Sequence, residues 1–159
     1  MRWIRFALLV CLAAIVQAGL FSQFILMPDS LVIFLVFFAV YSSTTDSIIT
    51  SVTIGFAADL IGPSMGAKML SFLITGTSLA YLNRVFALRK IPAQAIAIFA
   101  AAILTGVLSN ILNSLKNVGT IEYGIILKTA VVSGIAGPFL FIPARWWMRL
   151  KLKHHRRNL

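Results

Sequence analysis

The sequence predicts an all-α integral membrane protein, a compact bundle of six transmembrane helices forming one domain. Of the 159 residues, 60% are hydrophobic and only 11% are charged, whereas a soluble domain carries about 25% charged residues. The apolar residues form long runs separated by short polar, Gly- or Pro-containing segments, as expected for consecutive membrane helices. The net charge of +10 comes from clusters between those runs. Such clusters are typical of the cytoplasmic ends of membrane helices and do not indicate a nucleic-acid-binding surface.

The first helix is predicted over about residues 6–26. Basic residues precede it, and Val16-Gln17-Ala18 loosely resembles the cleavage site of a signal peptide. The apolar run nevertheless continues to Leu26 and reaches about 20 residues, the length that crosses the bilayer core. We therefore expect a retained transmembrane helix.

The second and third helices are predicted as a short pair over residues 28–43 and 45–61. Pro28 suits the first turn of a helix, and the polar segment at 42–46 offers capping residues for the next one. Both helices are near or below the roughly 20 residues of a full span. Short helices persist where protein surrounds them or the bilayer thins. A re-entrant hairpin that returns to the same side remains the alternative.

The last three helices are predicted over residues 67–83, 91–114 and 122–143. Breaks within the sixth are expected at Gly134, Gly137 and Pro138, where neighbouring helices would satisfy the freed backbone groups. A basic tail, residues 144–159, follows and can contact anionic lipid headgroups.

The distribution of basic residues predicts that both termini are cytoplasmic. With six spans, 11 of the 14 Lys and Arg fall on the side of the N-terminus. Only Lys68, Lys116 and Lys128 lie elsewhere. Because cytoplasmic segments are enriched in Lys and Arg, this bias supports a multi-pass protein of the bacterial inner membrane.

Asp59 is the most notable polar residue, since it lies near the outer end of the third helix. An ionisable residue within a span indicates a functional site, usually with a partner. Lys68 follows across a Gly-rich turn and is a candidate partner. In the alternative interpretation, the ion pair, or capping of the turn amides by Asp59, simply stabilises the hairpin.

Other polar residues suggest helix ends or helix contacts. Asp29 lies near the start of the second helix, where a carboxylate meets the positive end of the helix dipole. Asn110 and Asn113, with Ser109 and Ser114, form a polar patch near the outer end of the fifth helix. Interhelical hydrogen bonding explains this patch, and a ligand site is the alternative.

Small residues predict places where helices approach closely. Ala14 and Ala18 form such a pair on the first helix, and Gly134 and Gly137 do so on the sixth.

Enzymatic activity is not expected. The sequence contains no P-loop, no zinc-protease motif, no nucleophile elbow and no paired carboxylates. The two histidines, His154 and His155, lie in the basic tail. We therefore predict no catalytic residues, no metal site and no cofactor.

The chain resembles the MreD family of bacterial rod shape-determining membrane proteins. The resemblance lies in Met27-Pro28-Asp29-Ser30-Leu31, in Gly55-Phe56-Ala57-Ala58-Asp59-Leu60-Ile61-Gly62 and in Gly66. It implies that Pro28, Asp29, Gly55, Asp59 and Gly66 are family-signature residues. Lys68 departs from the family pattern, in which an apolar or neutral residue is more usual.

The resemblance also implies a fold similar to the substrate-binding subunits of energy-coupling-factor vitamin transporters. In function it implies a non-enzymatic scaffold of the complex that elongates the cell wall. The implied partners are an MreC-like single-span protein, the glycan polymerase and its transpeptidase, the MreB filament machinery through indirect contacts, and membrane lipids.

A vitamin-transporter subunit of the same fold is the alternative function. Such a subunit should line its outer face with aromatic and polar groups. Trp3, Trp146 and Trp147 are instead predicted at the inner interface, where tryptophans anchor helices in the membrane. This placement favours the scaffold.

Overall fold

The computed structural model describes residues 2–19, 28–61, 66–85, 91–116 and 123–148, which form six α-helices. They are α1 (Arg2–Gly19), α2 (Ser30–Tyr41), α3 (Thr44–Ile61), α4 (Ala67–Val85), α5 (Ile91–Leu115) and α6 (Tyr123–Met148). The prediction of an all-helical chain with six helices is confirmed. The expected end of the first helix at 20–26, the turns at 62–65 and 117–122, the basic segment at 86–90 and the tail from 149 onward lie outside the described residues.

Helix α2 lies at the centre of the bundle. The other five helices surround it in the order α1, α3, α4, α5 and α6, and α6 closes the ring by packing against α1. Ten of the 12 residues of α2 are buried. Its Leu, Val, Ile and Phe side chains cover every side of the helix, so each side needs an apolar neighbour.

Because α2 is so short, its polar ends are closed by other helices. Twelve residues extend about 18 Å, well below the roughly 30 Å of a bilayer core. At its C-terminal end, the Asn83 amide donates to the carbonyls of Ala39 (3.3 Å) and Val40 (3.0 Å). The Ser47 hydroxyl donates to the carbonyl of Phe38 (3.1 Å). The Asn83 bonds satisfy two of the last carbonyls of the helix, and the Phe38 carbonyl also accepts from the Ser42 backbone amide.

Aromatic contacts bring the start of α1 and the end of α6 to the same end of the bundle. The Phe6 and Phe38 rings lie 4.8 Å apart between centroids, and those of Phe37 and Phe141 lie 5.3 Å apart. We call this the aromatic end. At the opposite end, the cavity end, α1 meets the start of α2 and α3 meets the start of α4.

The structure differs from the prediction at the start of α1 and within α6. Helix α1 begins at Arg2 rather than residue 6, and the Trp3 ring packs edge-on against Phe6. The expected breaks in the sixth helix are wrong, because α6 continues through both of its prolines to Met148. Phe141 and Ala144 are buried within this stretch, so packing holds the helix together.

Candidate functional site

The Asp59 carboxylate closes the hairpin formed by α3 and α4. Its Oδ2 accepts hydrogen bonds from the backbone amides of Gly66 (2.9 Å) and Met69 (2.9 Å), and its Oδ1 accepts one from Lys68 (3.0 Å). These amides lie at the N-terminus of α4, where N–H groups lack intrahelical partners and a negative charge is favourable. Asp59, only 5% exposed, thus caps α4 from the preceding helix.

Of the two interactions considered for Asp59, the structure shows the cap of the turn amides and not the ion pair with Lys68. Within the described part of the chain, Asp59 bonds to the backbone amide of Lys68, and no ion pair joins its carboxylate to the ammonium. The reason is geometric: at a helix N-terminus the N–H groups point along the axis, whereas side chains project sideways. The half-buried Lys68 side chain lines a neighbouring cavity instead.

Glycines let α3 and α4 come close enough for this cap to form. A Cβ added to Gly55 would stand 2.7 Å from the Cα of Met69, which real Cβ atoms do not tolerate. Farther along the same interface, Gly76 packs directly on the Ser51 side chain. Gly66 has a φ of +91°, a left-handed conformation that glycine adopts without steric cost.

Asp29 caps the central helix. Its Oδ1 accepts from the backbone amides of Leu31 (3.1 Å) and Val32 (3.3 Å), and its own backbone is extended, as for a typical N-cap residue. Pro28 precedes the cap and lies outside the helix rather than in its first turn.

Sequence reasoning missed two residues that connect this cap to other helices. Gln17 of α1 donates through Nε2 to Asp29 Oδ1 (3.1 Å), and its Oε1 accepts from the Ser30 hydroxyl (2.7 Å). Ser133 of α6 accepts from the backbone amide of Asp29 (2.8 Å). Gln17 stood out only as a polar residue within an apolar run, and nothing in the sequence pairs Ser133 with a residue 104 positions away.

All six helices contribute to a cavity of about 300 Å³ at the cavity end, which we call the end cavity. Apolar side chains such as Phe72 and Ile126 form part of its wall. The charged and amide side chains that line it are Gln17, Asp29, Lys68, Asn110 and Asn113.

The residues of the predicted polar patch on α5 have different surroundings: three of them line this cavity, and one of those also bonds to α4. The Ser109 hydroxyl lines the cavity and donates to Ser71 of α4 (3.0 Å), which is an interhelical bond. Asn110 and Asn113 also line the cavity, whereas Ser114 is exposed. The Oδ1 of Asn113 is buried without a hydrogen-bond partner among the described residues.

A second concave surface, the α5–α6 groove, is apolar and has a volume of about 680 Å³. Its residues are Ile91, Ala95, Ile96, Phe99, Val131, Gly134, Ile135, Pro138, Phe139 and Ile142.

The predicted small residues lie in different surroundings. A Cβ on Gly134 would approach Phe99 Cβ to 3.3 Å, and Gly137 packs on Ile98, so both glycines bring α6 close to α5. On α1 the buried small residue is Ala13, while Ala14 is partly buried and Ala18 is exposed.

The outer surface is typical of a helical membrane protein. Large apolar side chains are exposed on several helices, including Ile15 (71%), Ile91 (70%) and Phe139 (72%). Exposed apolar residues on several helices are expected where lipid surrounds a protein. In the described part of the chain, two stretches are long and apolar enough to cross a membrane, Ile91–Leu115 and Tyr123–Ala144.

The family follows from a comparison with protein-family models. The family described as rod shape-determining protein MreD matches residues 1–150, so this chain belongs to the MreD family. The predicted resemblance is therefore confirmed. As a member of this family, the chain is a membrane protein of the rod complex and acts in determining cell shape. Searches of curated proteins and of solved structures gave no match.

Proposed function

We propose that this protein is a non-enzymatic scaffold subunit of the complex that elongates the bacterial cell wall. It would support peptidoglycan synthesis through helix–helix contacts with an MreC-like single-span protein, with the glycan polymerase and with its transpeptidase. Contact with the MreB filament machinery would be indirect. The family match over residues 1–150 carries this proposal. It gives no support to the alternative of a vitamin-transporter subunit.

The proposed topology has six spans with both termini cytoplasmic. Its support is that the start of α1 and the end of α6 share the aromatic end. Trp3 and Trp146, which are 49% and 80% exposed, lie near those two helix ends, as expected of residues at a membrane interface. In this arrangement the end cavity faces the periplasmic side.

Scaffolding requires a surface on which another transmembrane helix can pack. The α5–α6 groove has suitable chemistry, because its walls are apolar and the side chains of Ile96, Ile135 and Phe139 are exposed along it. We therefore infer that the transmembrane helix of the single-span partner packs in this groove.

The test is co-purification combined with rescue of cell shape in a rod-shaped bacterium that lacks its own family member. The wild-type chain should restore rods and recover the single-span partner. Recovery of an energising ATPase module instead would overturn the scaffold proposal.

A matched pair of variants tests the groove. Ile135→Trp fills it, while Ile15→Trp makes the same change on α1 at a site of similar exposure, 71% against 67%. We expect Ile135→Trp to reach the membrane in normal amounts but to lose the partner and give rounded cells. Equal recovery of the partner with both variants would show that the groove is not the contact surface.

A further inference from the structure

The end cavity combines a cation with hydrogen-bonding groups that have no partner. Lys68 lines it, and among the described residues this side chain forms no hydrogen bond or ion pair. A cation in a partly buried, apolar-walled site gains strongly from an anionic partner, because little water is present to screen it.

Among the described residues, the acidic side chains nearest to this cavity are bonded to helix ends. Asp59, the nearest carboxylate along the chain, uses both oxygens to bond the amides of α4. Asp29 also lines the cavity, but its Oδ1 is bonded to the N-terminus of α2 and to Gln17. Both carboxylates therefore bond to helix ends, and among the described residues neither forms an ion pair with Lys68.

Acceptor groups complete the cavity. Asn113 lines the cavity, and its Oδ1 is buried without a donor among the described residues, which is unfavourable for an amide oxygen. The Asn110 amide lies on the same wall, one helical turn away, and also has no hydrogen bond among the described residues. A ligand that matches these groups needs a negative charge and a hydrogen-bond donor.

We propose that the end cavity binds a small anion bearing a hydroxyl or amine, with its phosphate or carboxylate on Lys68 and its hydroxyl or amine against Asn110 and Asn113. The volume of about 300 Å³ is at the lower end of small-molecule sites. Two sources share this chemistry: a soluble glycerol phosphate and the headgroup of phosphatidylglycerol. The proposal goes beyond the scaffold function and does not depend on it.

The first experiment measures the thermal unfolding midpoint of the full chain in nanodiscs of zwitterionic phosphatidylcholine, titrated with glycerol 3-phosphate. A soluble ligand should raise the midpoint in a saturable way. A parallel series with increasing phosphatidylglycerol and no soluble probe tests the lipid source. A rise in only one series identifies the source, and no rise in either series overturns the proposal.

Matched variants show whether the effect arises in the cavity. Lys68→Met should weaken binding by about tenfold or more, the loss expected for one charge-assisted bond. Lys128→Met removes the same charge from an exposed position on α6 and should bind like the wild type. An equal loss with both variants would indicate a nonspecific charge effect and overturn the site.

Asn113 provides a test that does not depend on Lys68 variants folding. Asn113→Asp keeps the shape of the side chain but adds a negative charge to the cavity wall, so it should abolish binding of the anion. Ser114→Asp adds the same charge at the exposed neighbour and serves as the control. Unchanged affinity in Asn113→Asp would refute the proposal, whatever the outcome of the cell-shape test.

Discussion

Two aspartates at the same end of the bundle cap helices in different ways. Asp29 caps its own helix, α2, through amides two and three residues ahead. Asp59 lies near the end of α3 and caps the next helix, α4, through amides seven to ten residues ahead. The first cap is local, and other helices support it through Gln17 and Ser133. The second cap is itself a tertiary contact, so its loss should separate two helices as well as fray one.

The largest expected effect is on Asp59→Ala. Three amides lose a charged acceptor in a site where Asp59 is 5% exposed. We expect a loss of about 3 kcal/mol or more in the free energy of unfolding, because buried donors are left unpaired. Chemical denaturation in detergent measures it. The control, Asp46→Ala, removes an exposed acid bonded to Ser43 at the start of α3 and should change little. Similar losses for both variants would refute the special role of Asp59.

A smaller effect is expected when the approach of α3 to α4 is hindered. Gly55→Ala places a methyl group against the backbone of Met69, so we expect a loss of about 2 kcal/mol. Gly124→Ala introduces the same methyl group on α6, where nothing lies within 4 Å, and should be neutral or slightly stabilising. If Gly55→Ala is as stable as the control, the hairpin can adjust its spacing and the Asp59 cap does not depend on close packing.

Asp29→Ala should cost less than Asp59→Ala, about 1–2 kcal/mol, the usual range for a helix N-cap. Its effect should add to that of Asp59→Ala in the double variant, since the two caps share no partner among the described residues. Equilibrium unfolding of the two single variants and the double variant gives this comparison. If the loss in the double variant differs from the sum of the two single losses by more than about 0.5 kcal/mol, the caps are coupled.

The smallest effect is expected from Ser133→Ala, which removes one acceptor from the Asp29 backbone amide. A neutral hydrogen bond contributes about 1 kcal/mol. Hydrogen exchange at the Asp29 amide should accelerate, while exchange at Met69 should not change. Ser78→Ala, at an exposed hydroxyl bonded within its own helix, is the control. An unchanged exchange rate at the Asp29 amide would show that Ser133 does not hold this amide in solution.

The comparison also shows what the sequence could predict. A proline followed by an acid before an apolar run predicted a helix start near Asp29, because that signal is local. Asp59 was identified as notable, but the choice between a lysine and backbone amides depended on the direction of N–H groups in a folded turn. Ser133 could not be paired with Asp29, because their separation of 104 residues is bridged only by packing.

The presence of each helix was easier to predict than whether the helix continues through a proline. Long apolar runs and the polar breaks between them predicted six helices, and six are present among the described residues. The two prolines of α6 were read as a break and an end, yet the helix passes through both. Whether a proline interrupts a membrane helix depends on the neighbouring helices. Here Gly137 packs on Ile98 and Phe141 is buried, so α6 stays continuous.

The shortness and complete enclosure of α2 bear on how the chain is inserted into the membrane. A segment of 12 residues is too short to be held by lipid as an individual span. The amide that completes its C-terminal end belongs to Asn83, and the Gln94 amide that bonds to the Tyr41 hydroxyl lies still later. Both groups emerge from the ribosome long after α2. We therefore expect α2 to settle in its final position only once α4 and α5 have been made, so that these helices pack together rather than one at a time.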